Sequence, residues 1–335
     1  MKTKQIILDV TLTGRNAVNM EGADGRFAWN SFAKAFNEAT GTDGQKISYI
    51  TDGNCSVAKA NYYVKDGKVY RKLKISSDCL RHNTFKSVTN AAIKEDITAM
   101  IAYSTSIEGL SRGYLIPLDG GTTAKRKSPM TFTDAEEDGG AISIMENHSS
   151  SGYRDNTSLF RRETVGSTHY SFRVFIDLSE MGILSCCDTF DRPCVREECQ
   201  QLFEASLGKN GIEFEKGAFQ KKSDVQPEIC YKLSDKSVND IVNSVVKKIT
   251  EMFFGSATAY AEFESIKATF VNEDGSREAV GVTDGRLDKT FEVSSQYEPA
   301  DMDEALKAER LARASVTKAK KGDKKGGKKA ETEAN

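Results

Sequence analysis

The sequence predicts an α+β fold, and three observations predict it. Ile6, Leu8, Val10 and Leu12 alternate with Gln5, Asp9, Thr11 and Thr13, the period-two signature of a half-buried strand. Val238, Ile241, Val242, Val245, Val246, Ile249 and Phe253 recur at helical spacing, a stripe that packs on a core. Between and beyond them, separated strand-like runs and intervening helical runs follow without an internal repeat, an order that belongs to the α+β class.

In the first element Ile6, Leu8, Val10 and Leu12 share one face. The basic-then-apolar start resembles a signal peptide, but Asp9 interrupts it and no small-residue cleavage site follows. Gly14-Arg15-Asn16 leaves the strand, and Phe32 and Phe36, four apart, mark a helix over 27–39. Asp66-Gly67 between residues 62–65 and 68–75 is a hairpin signal. In its second strand Val69, Leu73 and Ile75 share one side, and Lys68, Tyr70, Lys72 and Lys74 share the other. Lysines there suit phosphates and the tyrosine ring suits a stacked base. Ser76-Ser77-Asp78 caps a helix expected to run to about Ser104, with Ile93, Ile97, Met100 and Ile101 inward. Its start, with Arg81 and His82 in the first turns, suits an anion; an ordinary capped helix is the plainer reading.

Residues 119–168 form a polar excursion with strand-like pieces near 130–133 and 141–145, which predicts a projecting hairpin. Residues 170–178 alternate again and predict a core strand; helices follow at 195–203 and 238–253, a long strand at 257–272 with a turn at 273–275, a weak strand at 291–297 and a helix from Asp301 to about Lys321. The division is 1–118, the first part of the sheet; 119–168, the insertion; 169–300, the remainder with helical insertions; and 301–335, a helix and a Lys-rich tail whose composition predicts disorder. A central sheet with helices on one face fits an RRM-like (ferredoxin-like) core with insertions.

Hydrophobic residues make up 38% and charged residues 29% of the 335, so global disorder is excluded. No apolar run reaches membrane-spanning length, and an odd count of seven cysteines fits a reducing, cytoplasmic setting. Cys186, Cys187, Cys194 and Cys199 lack the Cys-x-x-Cys spacing of zinc knuckles and read as small buried hydrophobes. No metal or cofactor is expected. Net charge is −2, yet residues 59–86 carry +6 and residues 307–329 carry +8, so the rest sums to −16. Focused basic stretches are what a phosphate backbone requires.

Motifs for nucleotide binding, metalloprotease or nucleophile-elbow chemistry are absent. Of three histidines, His148 and His169 fall in or beside the polar excursion, where fixed geometry is not expected, and Asp24 reads as a loop residue beside Gly22 and Gly25. No catalytic residue is assigned.

Four pieces together resemble a known family: the strand ending in Gly14-Arg15-Asn16, the run Ile75-Ser76-Ser77-x-x-Leu80-Arg81-His82, Arg112-Gly113-Tyr114-Leu115, and Phe160-Arg161-Arg162-Glu163 before the strand at 170–178. They resemble the backbone subunits of CRISPR Cascade surveillance complexes, in the RAMP superfamily, nearest the type I-F variant with type IV next. The resemblance implies a modified RRM-like palm and an inserted β-hairpin thumb. It implies copies stacked head to tail along a crRNA, which pairs with a target DNA strand, beside other Cascade subunits. Arg15, Asn16, Ser76, Ser77, Arg81, His82, Arg112, Lys125, Arg126, Lys127, Arg161 and Arg162 would then contact RNA, with the lysine face of the second hairpin. Two other readings stay open: a ribonuclease of the same superfamily, and a filament protein without nucleic acid.

Overall fold

The alternation of residues 5–13 becomes the central strand of a sheet in the computed structural model, which describes residues 1–16, 55–56, 58–66, 68–85, 96–117, 123–138, 142–150, 158–187, 193–256, 259–312 and 314. The expected helix over 27–39, Asp24 and the tail beyond 314 lie outside these. Strand β1 (Lys2–Arg15) buries Ile6, Leu8, Val10 and Leu12 and leaves Asp9, Thr11 and Thr13 half-exposed. Its end is fixed by packing: a Cβ on Gly14 would lie 2.5 Å from the Tyr170 ring.

Strands β2 (Ala60–Lys65) and β3 (Lys68–Ile75) form the expected hairpin, with Asp66 in the left-handed region at φ 52°. Leu73 and Ile75 face the core. Of the single helix expected from Ser77 to Ser104, the described residues show two stretches. Helix α1 spans Ser77–Phe85, and α2 (Ile97–Ser104) has its own cap, the Asp96 carboxylate accepting from Thr98 N–H at 2.8 Å. Ile97 thereby sits in a first turn and is exposed, whereas Met100 and Ile101 are buried; Ile93 lies outside the described residues. Helix α3 (Ile107–Arg112) stops at Gly113, φ 74°, where a Cβ would meet the Arg126 carbonyl at 2.5 Å. Strands β4 (Tyr114–Pro117) and β5 (Thr123–Arg126) then pair.

Strands β6 (Met130–Phe132) and β7 (Ala135–Glu137) differ from expectation, because they belong to the main sheet and not to a projecting hairpin. Their apolar side chains explain this: Met130, Phe132 and Ala135 are buried, and Phe132 stacks on Phe172 with centroids 6.3 Å apart. The hairpin of the insertion is β8 (Ser143–Ser150) with β9 (Ser158–Val165), joined by Cys55–Ser56 into a separate three-stranded sheet. Strand β10 (Thr168–Asp177) alternates as read.

Helix α4 (Leu178–Met181), β11 (Ile183–Ser185), α5 (Gln200–Lys209), β12 (Phe214–Lys221) and β13 (Glu228–Leu233) follow. Helix α6 (Asp235–Thr250) is capped by Ser234 and buries Val238, Ile241, Val242, Val245, Val246 and Ile249, each 0% exposed. Strands β14 (Phe253–Gly255), β15 (Tyr260–Asn272), β16 (Arg277–Val280) and β17 (Tyr297–Pro299) complete the labelled strands, and residues 302–312 are helical. A small sheet of β11, β13, β12 and β17 has no counterpart in the sequence reading.

The main sheet runs β14-β15-β1-β10-β7-β3-β2, with antiparallel pairing along that path. Helix α6 packs against β15, and α1 and α3 pack against α6. One core joins Ile6, Leu8, Phe172, Val174 and Leu80 to the α6 stripe. The other face of the sheet carries no helix among the described residues.

Candidate nucleic-acid interface

Period-two alternation puts every second residue of the sheet on the uncovered face, and register aligns these residues across strands. One row reads Lys74, Glu136, Ser171, Thr11 and Ser265 across β3, β7, β10, β1 and β15. The face is one surface over five strands. A concavity of ≈ 640 Å³ lies on it, lined by Asp9, Asp134, Glu136, Ser171, Arg173 and Lys267 among others.

At the β2–β3 end Tyr63 and Tyr70 are cross-strand partners, 42% and 49% exposed. Rings so exposed offer flat surfaces to bases. Tyr63 OH donates to Glu136, which holds the phenol above its ordinary range, and Asn61 Nδ2 donates to the same carboxylate at 2.5 Å. Lys72 follows Tyr70 on this face, and Lys74 Nζ reaches Asp134 at 3.0 Å. Further along, Arg173 Nε donates to Asp9 at 2.5 Å. At the far end His169 Nδ1 lies 2.6 Å from Glu264 Oε2, which also accepts from Thr13 Oγ1 at 3.1 Å. The His169 contact holds the Glu264 carboxyl below its usual range.

The expected anion site at the start of α1 is already filled. Asp134 accepts from Ser77 N–H at 2.8 Å as well as from Lys74. Burial alone would push this carboxyl up, but the two donors outweigh it and hold the pKa low. An internal carboxylate thus supplies the negative charge that the helix N-terminus favours. Arg81 lies 3.6 Å from Asp78 of its own helix, and His82 is exposed there. Helix α1 packs with α6 and α3, so Lys72 and Lys74 share the open face while Arg81 and His82 sit in the helix layer.

Arg126 requires correction. It is 7% exposed, and its guanidinium donates to the carbonyls of Leu110, Ile183 and Met181 at 2.9, 2.7 and 3.1 Å. Burial lowers its pKa. It closes the carbonyl ends of α3 and α4 and has no surface to offer RNA. Lys125 beside it is half-buried, Lys127 is exposed, and Arg112 is a half-buried residue in the last turn of α3. Arg15 is exposed at the end of β1; Asn16, at φ 62°, accepts from Val165 N–H at 3.2 Å. Lys68, Arg161 and Arg162 lie in described strands, but their side chains are outside the description. Ser76 immediately precedes α1.

Alternation makes Arg71 the opposite of its neighbour Lys72. Arg71 grips the buried Glu163 with two hydrogen bonds, 2.5 and 2.8 Å, and Glu163 also accepts from Ala58 N–H at 2.8 Å. This pins β9 to β3. Sequence reasoning passed over Tyr63, His169, Arg173 and Lys267 as open-face residues. Alternation along 168–177 was signal enough for His169 and Arg173; their carboxylate partners, Glu264 and Asp9, are 95 and 164 residues away. Cys186, Cys187, Cys194, Cys199 and Cys230 are buried thiols, and no group among the described residues is arranged to hold a metal ion. No described helix is long and apolar enough to cross a membrane.

Residues 51–282 match the family model described as type I-Fv CRISPR-associated protein Cas7fv-like. The chain belongs to this Cas7fv-like family. That is the type I-F variant of Cascade backbone subunit to which the sequence resemblance pointed. The matched span holds β2, β3, β7, β10, β14 and β15, every strand along the main-sheet path except β1. Among solved structures, the chain is similar to a CRISPR RNA-guided surveillance complex chain at 8% identity, covering 79% of this chain and 68% of that one, with a TM-score of 0.35. A second, from a pre-nicking surveillance complex, has 7% identity, covers 79% and 75%, and has a TM-score of 0.35. No curated protein matches.

Proposed function

We propose that this Cas7fv-like chain is a non-catalytic backbone subunit that holds crRNA by its phosphates along the open face. In this reading copies assemble head to tail, beside other Cascade subunits, and the guide stays available to a target DNA strand. The observation that carries the RNA contact is the single uncovered face on which Tyr63, Tyr70, Lys72, Lys74, Arg173 and Lys267 lie in register. Cations and exposed rings on a sheet are the features single-stranded RNA uses. Two of the cations meet carboxylates, Lys74 at Asp134 and Arg173 at Asp9. The Arg173–Asp9 pair is exposed, and such pairs are worth only about 0–1 kcal/mol, so a phosphate can take over Arg173; Lys74–Asp134 is half-buried and holds its cation more firmly.

An RRM-like palm is supported by strand order. Strands β15-β1-β10-β6/β7 are antiparallel neighbours, with α1 between β1 and β6 in the chain and α6 between β10 and β15. That order is the one a split βαβ core would give. The β8–β9 hairpin falls between the second and third strands of that core and is read as the thumb.

Phosphate contacts position RNA without reading its bases, so binding should be indifferent to spacer sequence. The test is to express the chain with a spacer array, purify it and sequence what co-purifies. Bound RNA of the spacer's sequence, with equal affinity for two unrelated spacers, is expected. Protein recovered without oligonucleotide overturns the reading; cleavage of bound RNA moves it to the ribonuclease class.

A further inference from the structure

The His169–Glu264 pair is not used by the reading above. His169 stands on β10 opposite Thr13 of β1, and its side chain is 55% exposed. Glu264 approaches from β15 next to an irregularity in the β1–β15 register, which lets its carboxylate reach both His169 Nδ1 and Thr13 Oγ1. The imidazole is thus held by one nitrogen from a strand across β1. A carboxylate at Nδ1 sets tautomer and ring orientation and leaves Nε2 to act. Arg15 lies two residues beyond Thr13 on the same side of β1, so it is the diagonal neighbour of His169, within reach of a long side chain.

We propose that His169, oriented by Glu264, forms with Arg15 a protonation-dependent phosphate clamp at the β1 end of the open face, the ligand being a phosphodiester of single-stranded RNA. This rests on the proposed function, which puts RNA on this face. The charged groups around the imidazole are Glu264 and Glu262 from β15, Arg15 from β1, and Asp138, whose N–H donates to the His169 carbonyl at 3.1 Å. With His169 neutral the same carboxylates repel a phosphate; with His169 charged, Nε2–H and the Arg15 guanidinium present two cationic donors to it. Glu264 is a positioning residue in this scheme.

The experiment uses the full chain and a labelled single-stranded RNA oligonucleotide of arbitrary sequence, with affinity measured at pH 6 and pH 8 at fixed ionic strength. Wild-type protein is expected to bind about fivefold tighter at pH 6 than His169→Gln does, and equally at pH 8, since one solvent-reached charge contact is at stake. Glu264→Gln should move the midpoint of the wild-type pH dependence to lower pH, which a merely structural role would not do. The His169 resonance of unmutated protein should titrate at higher pH once RNA is added, a readout independent of whether either variant folds. A pH dependence unchanged in His169→Gln, or a resonance that RNA does not shift, overturns the inference while leaving the proposed function standing. Wild-type protein that binds RNA at neither pH overturns the proposed function instead. RNA cut by wild type but not by His169→Gln overturns the purely binding role.

Discussion

Arg71 and Lys72 are adjacent in the chain and do opposite work, because they lie on opposite faces of one sheet. Away from the open face, charged side chains are consumed internally: Arg71, on the covered face, by Glu163, and Arg126, on the separate β4–β5 ribbon, by backbone carbonyls. On the open face, Arg173 and His169 are exposed and Lys72 and Lys74 half-buried, and Lys74, Arg173 and His169 meet carboxylates that water also reaches. Residue type does not separate the two groups. What separates them is the burial of the partner: Glu163 is 4% exposed against 31% for Asp134 and 43% for Asp9, and a charge held by a buried partner must be satisfied in the fold, whereas a pair that water reaches on both sides can exchange at lower cost.

Arg126→Ala should have the largest effect, on stability and not on RNA affinity. It strands three buried carbonyl acceptors, a loss of about 3–5 kcal/mol by analogy with other broken buried networks. Arg126→Lys should not rescue it, because an ammonium cannot span the same carbonyls. Denaturant unfolding measures this. Stability within about 0.5 kcal/mol of wild type would erase the distinction between internally consumed and open-face cations.

Next comes Glu163→Gln, which leaves the Arg71 guanidinium facing a neutral amide. Roughly 2–3 kcal/mol of destabilisation is expected, below the full buried-pair value because Arg71 is 30% exposed. Increased protease cutting within β8–β9 should accompany it if the pair pins that hairpin.

The double variant Lys72→Ala/Lys74→Ala sharpens the comparison from the other side. Stability should stay within about 0.5 kcal/mol of wild type. RNA affinity should fall by a similar factor on unrelated sequences, and the slope of log affinity against log salt should flatten by about 1–2.

The smallest effect concerns acid. The donors of Ser77 and Lys74 hold the Asp134 pKa below its unfolded value of about 3.9. Its stabilising contribution is therefore complete above the unfolded value and is lost as pH falls through the lowered one. Asp134→Asn should remove that contribution at neutrality and flatten the acid limb of stability below about pH 4. An acid limb identical to wild type would show that the α1 start does not depend on this carboxylate.

Much of the fold was legible in residue order. β1, the β2–β3 hairpin, β10 and the α6 stripe are local patterns, since alternation and helical spacing report burial within one element. The small sheet of β11, β13, β12 and β17 was not legible, because its strands are short and their apolar sides alternate weakly. The start of α1 looked like an anion site because a capped helix and a basic flank look alike whether or not a carboxylate from 57 residues away fills it. Arg126 sat in a Lys-Arg-Lys run that looked exposed, and nothing in the run marks its middle residue as buried.

The sequence by itself determined the class of fold, the alternating strands and the family, because each depends on patterns that neighbouring residues carry. Only the tertiary structure decided which charges are available to a partner. Pairing across strands far apart in the chain chose between burial with a partner, as for Arg71, and a place on the uncovered face, as for Lys72, and the cost of desolvating a charge makes that choice binding.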